Sequence, residues 1–183
     1  MRITPVHASH VANMITIDLN KSSFITLTTG LEPVAAAAAK IILEDLEKEK
    51  ALEERVRELV DTQEDDIEFY QADEKQLFWM IKKKLAKEFG VLLSFEERYS
   101  HVAHAILDEL YEEDLLHFTV GENQIKNIIF NSVESYMGAF SEIEDAVSEK
   151  ISNYKRKLHY GSEEYEIVFE KLYSEELLKR GMA

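Results

Sequence analysis

The chain has no cysteine, so disulfides, thiolate metal sites and cysteine nucleophiles are excluded. Proline occurs twice, at Pro5 and Pro33, and glycine six times. All six glycines are informative by position. Gly30 and Gly121 precede long apolar-periodic segments, and Gly90 and Gly181 follow final ones. Gly161 sits in a turn, and Gly138 alone falls inside a helical pattern. None is left for a phosphate-cradling loop, and serine-nucleophile elbows, dinucleotide fingerprints and zinc-helix motifs are absent as well. Long hydrophobic runs are missing too. The longest, such as residues 34–39, are a handful of residues and do not span a bilayer. The opening MRITPVHASH lacks the apolar core of a secretory signal, so the expected location is the cytoplasm. Positive charge is scarce: 21 Lys and Arg stand against 36 Asp and Glu, a net charge of −15. Such a surface repels phosphate backbones and anionic membranes at long range, so binding either needs a local basic patch.

What the chain does have is an internal echo. Adding 91 to positions 9–90 reaches 100–181 without a gap, and SHVANMITIDLNKSSFITLTTG (9–30) overlays SHVAHAILDELYEEDLLHFTVG (100–121). Farther on, Glu53, Val56, Glu58, Phe78 and Gly90 meet Glu144, Val147, Glu149, Phe169 and Gly181. An unbroken register of this length predicts a duplicated chain, with copy one over residues 1–91 and copy two over 92–183.

Each copy reads as helix, short extended piece, long helix, turn, helix. Val11, Ile15 and Leu19 recur at helical spacing, as do Val102, Ile106 and Leu110. Pro5 follows the capping candidate Thr4, and Ser94 with Glu97 forms a capping box. FITLT (24–28) and LLHFT (115–119) are the only β-like pieces. From Val133 through Tyr136, Phe140, Ile143, Val147, Ile151 and Tyr154 to Leu158, apolar residues step by three or four, predicting one helix of roughly 35 residues. The matching stripe in copy one is interrupted by Asp45, Glu49 and Gln63, which predicts that part of it faces water. Asp73 with Gln76, and Ser162 ahead of two glutamates, suit the starts of the final helices. A short turn folds each final helix back on its spine. The expected fold is all-α, internally duplicated and pseudo-twofold, with an antiparallel four-helix bundle and two protruding helical lobes built on the first helices.

Three side-chain groups carry candidate chemistry. Glu97, His101, His104 and Asp108 fall on one stripe of a helix and supply metal-ligand atom types. That stripe lies opposite Val102, Ile106 and Leu110, so it points to solvent, and only His101 is echoed in copy one, by His10. QLFWMIKKKLAKEFG (76–90) is an amphipathic helix with Lys82, Lys83, Lys84 and Lys87 largely on its polar side and Trp79 flanking its apolar side. Folding back along the acidic spine pairs these lysines with residues such as Glu58, Asp61, Glu64 and Asp65. Tyr154, Lys155, Arg156 and Lys157 make a second, smaller basic cluster.

TGLEPV (29–34), EKALEERV (49–56), QLFWMIKKKLA (76–86), SFEERYSHVAHAILDELYEEDL (94–115) and GSEEYEIVFEKLYSEEL (161–177) resemble the bacterial domain-of-unknown-function family 507, along essentially the whole chain. The resemblance implies no known activity, cofactor or catalytic residue. The expected function is a non-catalytic protein–protein interaction module or scaffold that requires no cofactor and no membrane. The alternative is a nucleic-acid-associated factor working through Lys82–Lys87. A metal-dependent enzyme using the His and carboxylate stripe comes third.

Overall fold

In the computed structural model, the structure describes residues 3, 5–62, 74–154, 156, 158 and 163–180. In chain order the elements are α1 (Pro5–Lys21), β1 (Ile25–Leu27), α2 (Leu31–Asp61), α3 (Glu74–Leu85), α4 (Phe95–Glu112), β2 (Leu116–Phe118), α5 (Glu122–Ser152) and α6 (Glu163–Lys179). The protein is mostly helical, as its periodicity predicts. The caps expected of Thr4, Asp73 and Ser162, the stripe interruption at Gln63, the acidic partners Glu64 and Asp65, and the turn at Gly161 lie outside the described residues. The chain divides into two compact units, one of Ile3–Val133 and the other holding Glu134–Ala183.

In the Ile3–Val133 unit the two β-like pieces find each other. They form one antiparallel pair in the register Ile25↔Phe118, Thr26↔His117, Leu27↔Leu116. The backbone bonds Thr28 N–H to Leu115 O (3.1 Å) and Thr119 N–H to Phe24 O (3.0 Å) close its two ends. Three-residue strands are marginal alone, and here helices hold them. α1 packs on α2 and β1, while α4 packs on α2 and β2. Val11, Ile15 and Leu19 of α1, Val34, Ala38 and Ile42 of α2, and Val102, Ile106 and Leu110 of α4 are all buried. Two first helices on separate lobes are therefore not what this unit contains. α1 and α4 both pack on α2, and the strand pair joins the segments that follow them.

Adding 91 carries Ile25–Leu27 onto Leu116–Phe118 and Leu31–Asp61 onto Glu122–Ser152, bound for bound. The strand pairing maps onto itself under the same shift: Ile25↔Phe118 becomes Leu116↔Leu27, and Thr26 pairs with its own counterpart His117.

Two local expectations need correction. Ser94 occupies the N-cap position of α4 with extended backbone, but its side chain makes no capping bond, so the capping box is not formed. α5 is 31 residues long, about 46 Å. Tyr154 and Leu158 lie past its end, so the apolar stripe stops at Ile151. At the other end of α4, Asp114 takes the left-handed conformation (φ 53°) that usually selects glycine. Leu115 N–H to Leu110 O and Asp114 N–H to Tyr111 O complete the helix-ending pair of bonds there.

Candidate interaction face and the ion cluster beneath it

α3 folds back on the second half of α2. Leu77, Phe78, Ile81, Leu85 and Phe89 pack against a core of Leu52, Val56, Val60, Ala86 and Val91. The hairpin thus has its own apolar seam, and Gly90 fixes where it stops. Gly90 has φ +65°. Val91 N–H reaches Ala86 O (2.9 Å) and Gly90 N–H reaches Lys87 O (3.2 Å), the paired bonds of a glycine-terminated helix end. Ala86 and Val91, the residues such an end brings together, are both buried. The helical path therefore continues through Lys87 and Phe89 before the chain turns.

The outward side of this helix carries Gln76, Trp79, Met80, Lys83 and Lys84, with Lys87 on the turn that follows, and all six are exposed. Trp79 is 46% exposed and Met80 52% exposed, large apolar groups that the fold leaves in water. Lys83, Lys84 and Lys87 have no ion pair among the described residues, although the preceding helix is rich in carboxylates.

Lys82 does not belong to that surface. It is 3% exposed, and its Nζ donates to Glu49 Oε1 at 2.8 Å and to Glu53 Oε1 at 2.6 Å. The same Nζ stands 5.2 Å from the centroid of the Trp79 ring, a cation–π distance that braces the ring from below. The acidic partners expected for this helix were Glu58, Asp61 and their neighbours. Glu58 instead pairs with Arg55 on its own helix, and the lysine reaches a full two turns earlier on α2.

Glu49 is also the hinge of a second ion pair. Its other oxygen, Oε2, accepts from Arg98 Nη1 of α4 at 2.5 Å, and Arg98 Nε donates to Asp45 Oδ2 at 2.7 Å. Arg98 Nη2 also lies 2.6 Å from Asp45 Oδ2 but is not directed along a hydrogen bond. Three carboxylates of α2 and two cations from α3 and α4 therefore form one buried cluster. Arg57, 3.9 Å from Glu53, stands at its edge. Burial disfavours the charged guanidinium of Arg98, but Asp45 and Glu49 outweigh it and hold the pKa above its ordinary value. This corrects the reading of Asp45 and Glu49 as places where the spine faces water. Asp45 is half-buried and Glu49 and Glu53 are buried. The signal in the sequence was their position: all three are acidic residues on an apolar stripe, and a buried charge there requires a cation from another element.

Positions 91 farther along carry a different chemistry. Asp45, Glu49 and Lys82 correspond to Tyr136, Phe140 and Tyr173 in the Glu134–Ala183 unit. The Tyr136 and Phe140 rings are 4.0 Å apart, and Phe140 and Tyr173 are 6.0 Å apart. Tyr173 continues through Phe169 (5.7 Å) to Tyr165 (6.0 Å) along α6. Burial pushes the Tyr136 and Tyr173 phenols well above the usual tyrosine range. Beside them, Glu176 accepts from Lys150 and, at 3.0 Å, from Lys179. The two ammonium groups push its carboxyl down to about 2.

The remaining candidates stay apart. Glu97, His101, His104 and Asp108 are all exposed on α4, and His104 Nε2 lies 3.3 Å from Asp108 Oδ2. Among the described residues no three His, Asp or Glu side chains converge on a point a metal ion could occupy. His10 and His101 are both exposed and make no hydrogen bond among the described residues. In the second basic cluster, Arg156 pairs with Glu164 at 2.9 Å and Tyr154 is exposed, while Lys155 and Lys157 lie outside the described residues.

A small, mostly helical protein with an exposed basic and aromatic helix face is the class that these features define. The chain belongs to the family described as protein of unknown function DUF507, whose model matches residues 1–182. A search of curated proteins found no match. Among the described residues, no helix is long and apolar enough to cross a membrane.

Proposed function

We propose that this protein is a non-catalytic, cytoplasmic interaction module that binds a protein partner through the outward face of α3. One observation carries the reading. Trp79 and Met80 stand about half exposed on a helix whose other side packs against the α2 seam. Large apolar side chains grouped on a helix face and bordered by charge are what partner-binding surfaces offer. Lys82 contributes from below, by holding Trp79, and not as a contact.

The duplication belongs to the same proposal. We take residues 1–91 and 92–183 as two copies, related within the Ile3–Val133 unit by a pseudo-twofold axis through the Thr26↔His117 pair. Matching element bounds and the self-mapping strand register support it. An experimental structure in which α1–β1 fails to superpose on α4–β2 would remove the axis.

A pull-down from the source cell tests the function. Tagged full-length protein and its Trp79→Ala/Met80→Ala variant are compared, after both are shown to fold by circular dichroism. The expected result is a protein partner retained by the first and lost by the second. Identical captures from both, or turnover of a substrate from a general panel, would refute it.

A further inference from the structure

We infer that the α3 face takes an acidic protein segment bearing a large apolar side chain, and that each chain takes one such segment. This rests on the interaction reading above and names the chemistry of the partner.

At 100° per residue, Trp79, Lys83, Gln76, Met80 and Lys84 occupy about 140° of the circumference of α3, in that angular order. Lys87 adds a third ammonium one turn on. Apolar and basic groups are thus interleaved, so an occupant must supply both an apolar group for the Trp79–Met80 surface and carboxylates for its lysines. The surrounding charge decides between polyanions. Exposed Glu88 directly follows Lys87, and α3 packs on α2, which exposes Glu54, Glu58 and Asp61 beside Lys50 and Arg55, on a chain whose net charge is −15. A nucleic-acid strand carries a charge roughly every 3.4 Å and continues beyond three lysines along a strongly acidic chain. A short acidic segment ends its charge where the lysines end. The face also has no second version. Trp79, Met80, Lys83, Lys84 and Lys87 correspond to Glu170, Lys171, Ser174, Glu175 and Leu178, which mix both signs and carry no aromatic. That fixes one site per chain.

The buried cluster supports the geometry. Lys82 is anchored by two carboxylates and sits against the Trp79 ring, so the ring is held in place before any partner arrives. Such preorganisation lowers the ordering cost of binding.

A displayed random-peptide library tests the inference, with the full chain as bait and a Lys83→Glu/Lys84→Glu variant as counter-bait. Enrichment of peptides with Asp and Glu around a Leu, Phe or Trp is expected on the natural chain alone. A labelled, enriched peptide should then bind one per chain, more weakly as salt rises. Affinity should fall roughly tenfold in the charge-reversed variant and roughly 30-fold in Trp79→Ala. Because Trp79 is the only tryptophan, its emission should shift to the blue when the peptide docks. Peptides without acidic bias, or equal enrichment on the counter-bait, would overturn the inference. So would an oligothymidylate strand that shifts Trp79 emission at lower concentration than any selected peptide. If the library fails while the pull-down still yields a partner lost with Trp79 and Met80, the acidic chemistry is wrong and the interaction reading stands. Failure of both removes both.

Discussion

Removing the ammonium of Lys82 should cost the Ile3–Val133 unit about 3 kcal/mol, the low end of what breaking a buried ion pair usually costs. The low end follows from what each carboxylate retains in Lys82→Met. Glu49 keeps Arg98 at 2.5 Å. Glu53, whose side chain is 10% exposed, loses its 2.6 Å bond to Lys82 and lies 3.9 Å from Arg57. The weakening therefore falls mainly on Glu53, and methionine preserves most of the aliphatic stem that packs in the hairpin. Against a typical total of about 5–15 kcal/mol for a domain, the loss is large. Lys82→Met with Glu53→Met removes both the cation and the carboxylate that its loss weakens most, and should return to within about 1 kcal/mol of the natural protein, since apolar replacement of a buried pair is often neutral. Urea unfolding followed by Trp79 emission reads this unit, with far-ultraviolet circular dichroism as a second probe because the mutation alters the surroundings of the ring. An unchanged midpoint in Lys82→Met would refute the argument. A double variant no more stable than the single one would refute it as well.

Phe140→Ala should destabilise the Glu134–Ala183 unit by about 3–5 kcal/mol, because Phe140 is fully buried between Tyr136 and Tyr173; loss of near-ultraviolet dichroism at lower urea checks it. Gly90→Ala should cost about 1–2 kcal/mol in the α2–α3 hairpin, since φ +65° strains any side chain although nothing obstructs its Cβ; thermal unfolding measures this. The Glu176 carboxyl, depressed to about 2 by Lys150 and Lys179, should contribute its full stabilisation above pH 4.5 and lose it as the pH falls toward 2. A carboxyl carbon titration should place its midpoint there, and Lys150→Met should move that midpoint up toward the ordinary value.

The parts of the fold that read correctly from sequence are those in which one element carries its own evidence. Val102, Ile106 and Leu110 announce a buried helix face regardless of what covers it, and the match of 9–30 with 100–121 places both strands and the starts of both spines. The pairing of β1 with β2 was not legible, because FITLT and LLHFT are too short to encode a partner; the helices around them hold the pair. Lys82 was hidden for another reason. In a run of lysines on a helix, periodicity ranks Lys82, Lys83 and Lys84 alike, and what separates Lys82 is a pair of carboxylates 29 and 33 positions earlier in the chain. Glu49 was misread by the same rule in reverse, since an acid on an apolar stripe signals water unless its cation is known.

Put side by side, these positions argue that the register preserves the place of a contact and not its chemistry. Where the first spine meets its final helix, Glu49 meets Lys82; 91 residues on, Phe140 meets Tyr173. The two solutions have different consequences. Three carboxylates exceed what one lysine can neutralise, so the charged version draws in Arg98 and ties α2, α3 and α4 into one network. The aromatic version needs no counter-charge and extends along its own helix, through Phe169 to Tyr165. The charged version also places an ammonium under Trp79, and the outward side of that helix, with the turn after it, gathers an aromatic ring, a methionine and three lysines. The contrast with positions 91 farther on, in the core and on the surface, thus falls on the same helix, and that coincidence makes α3 the place to look for what this protein binds.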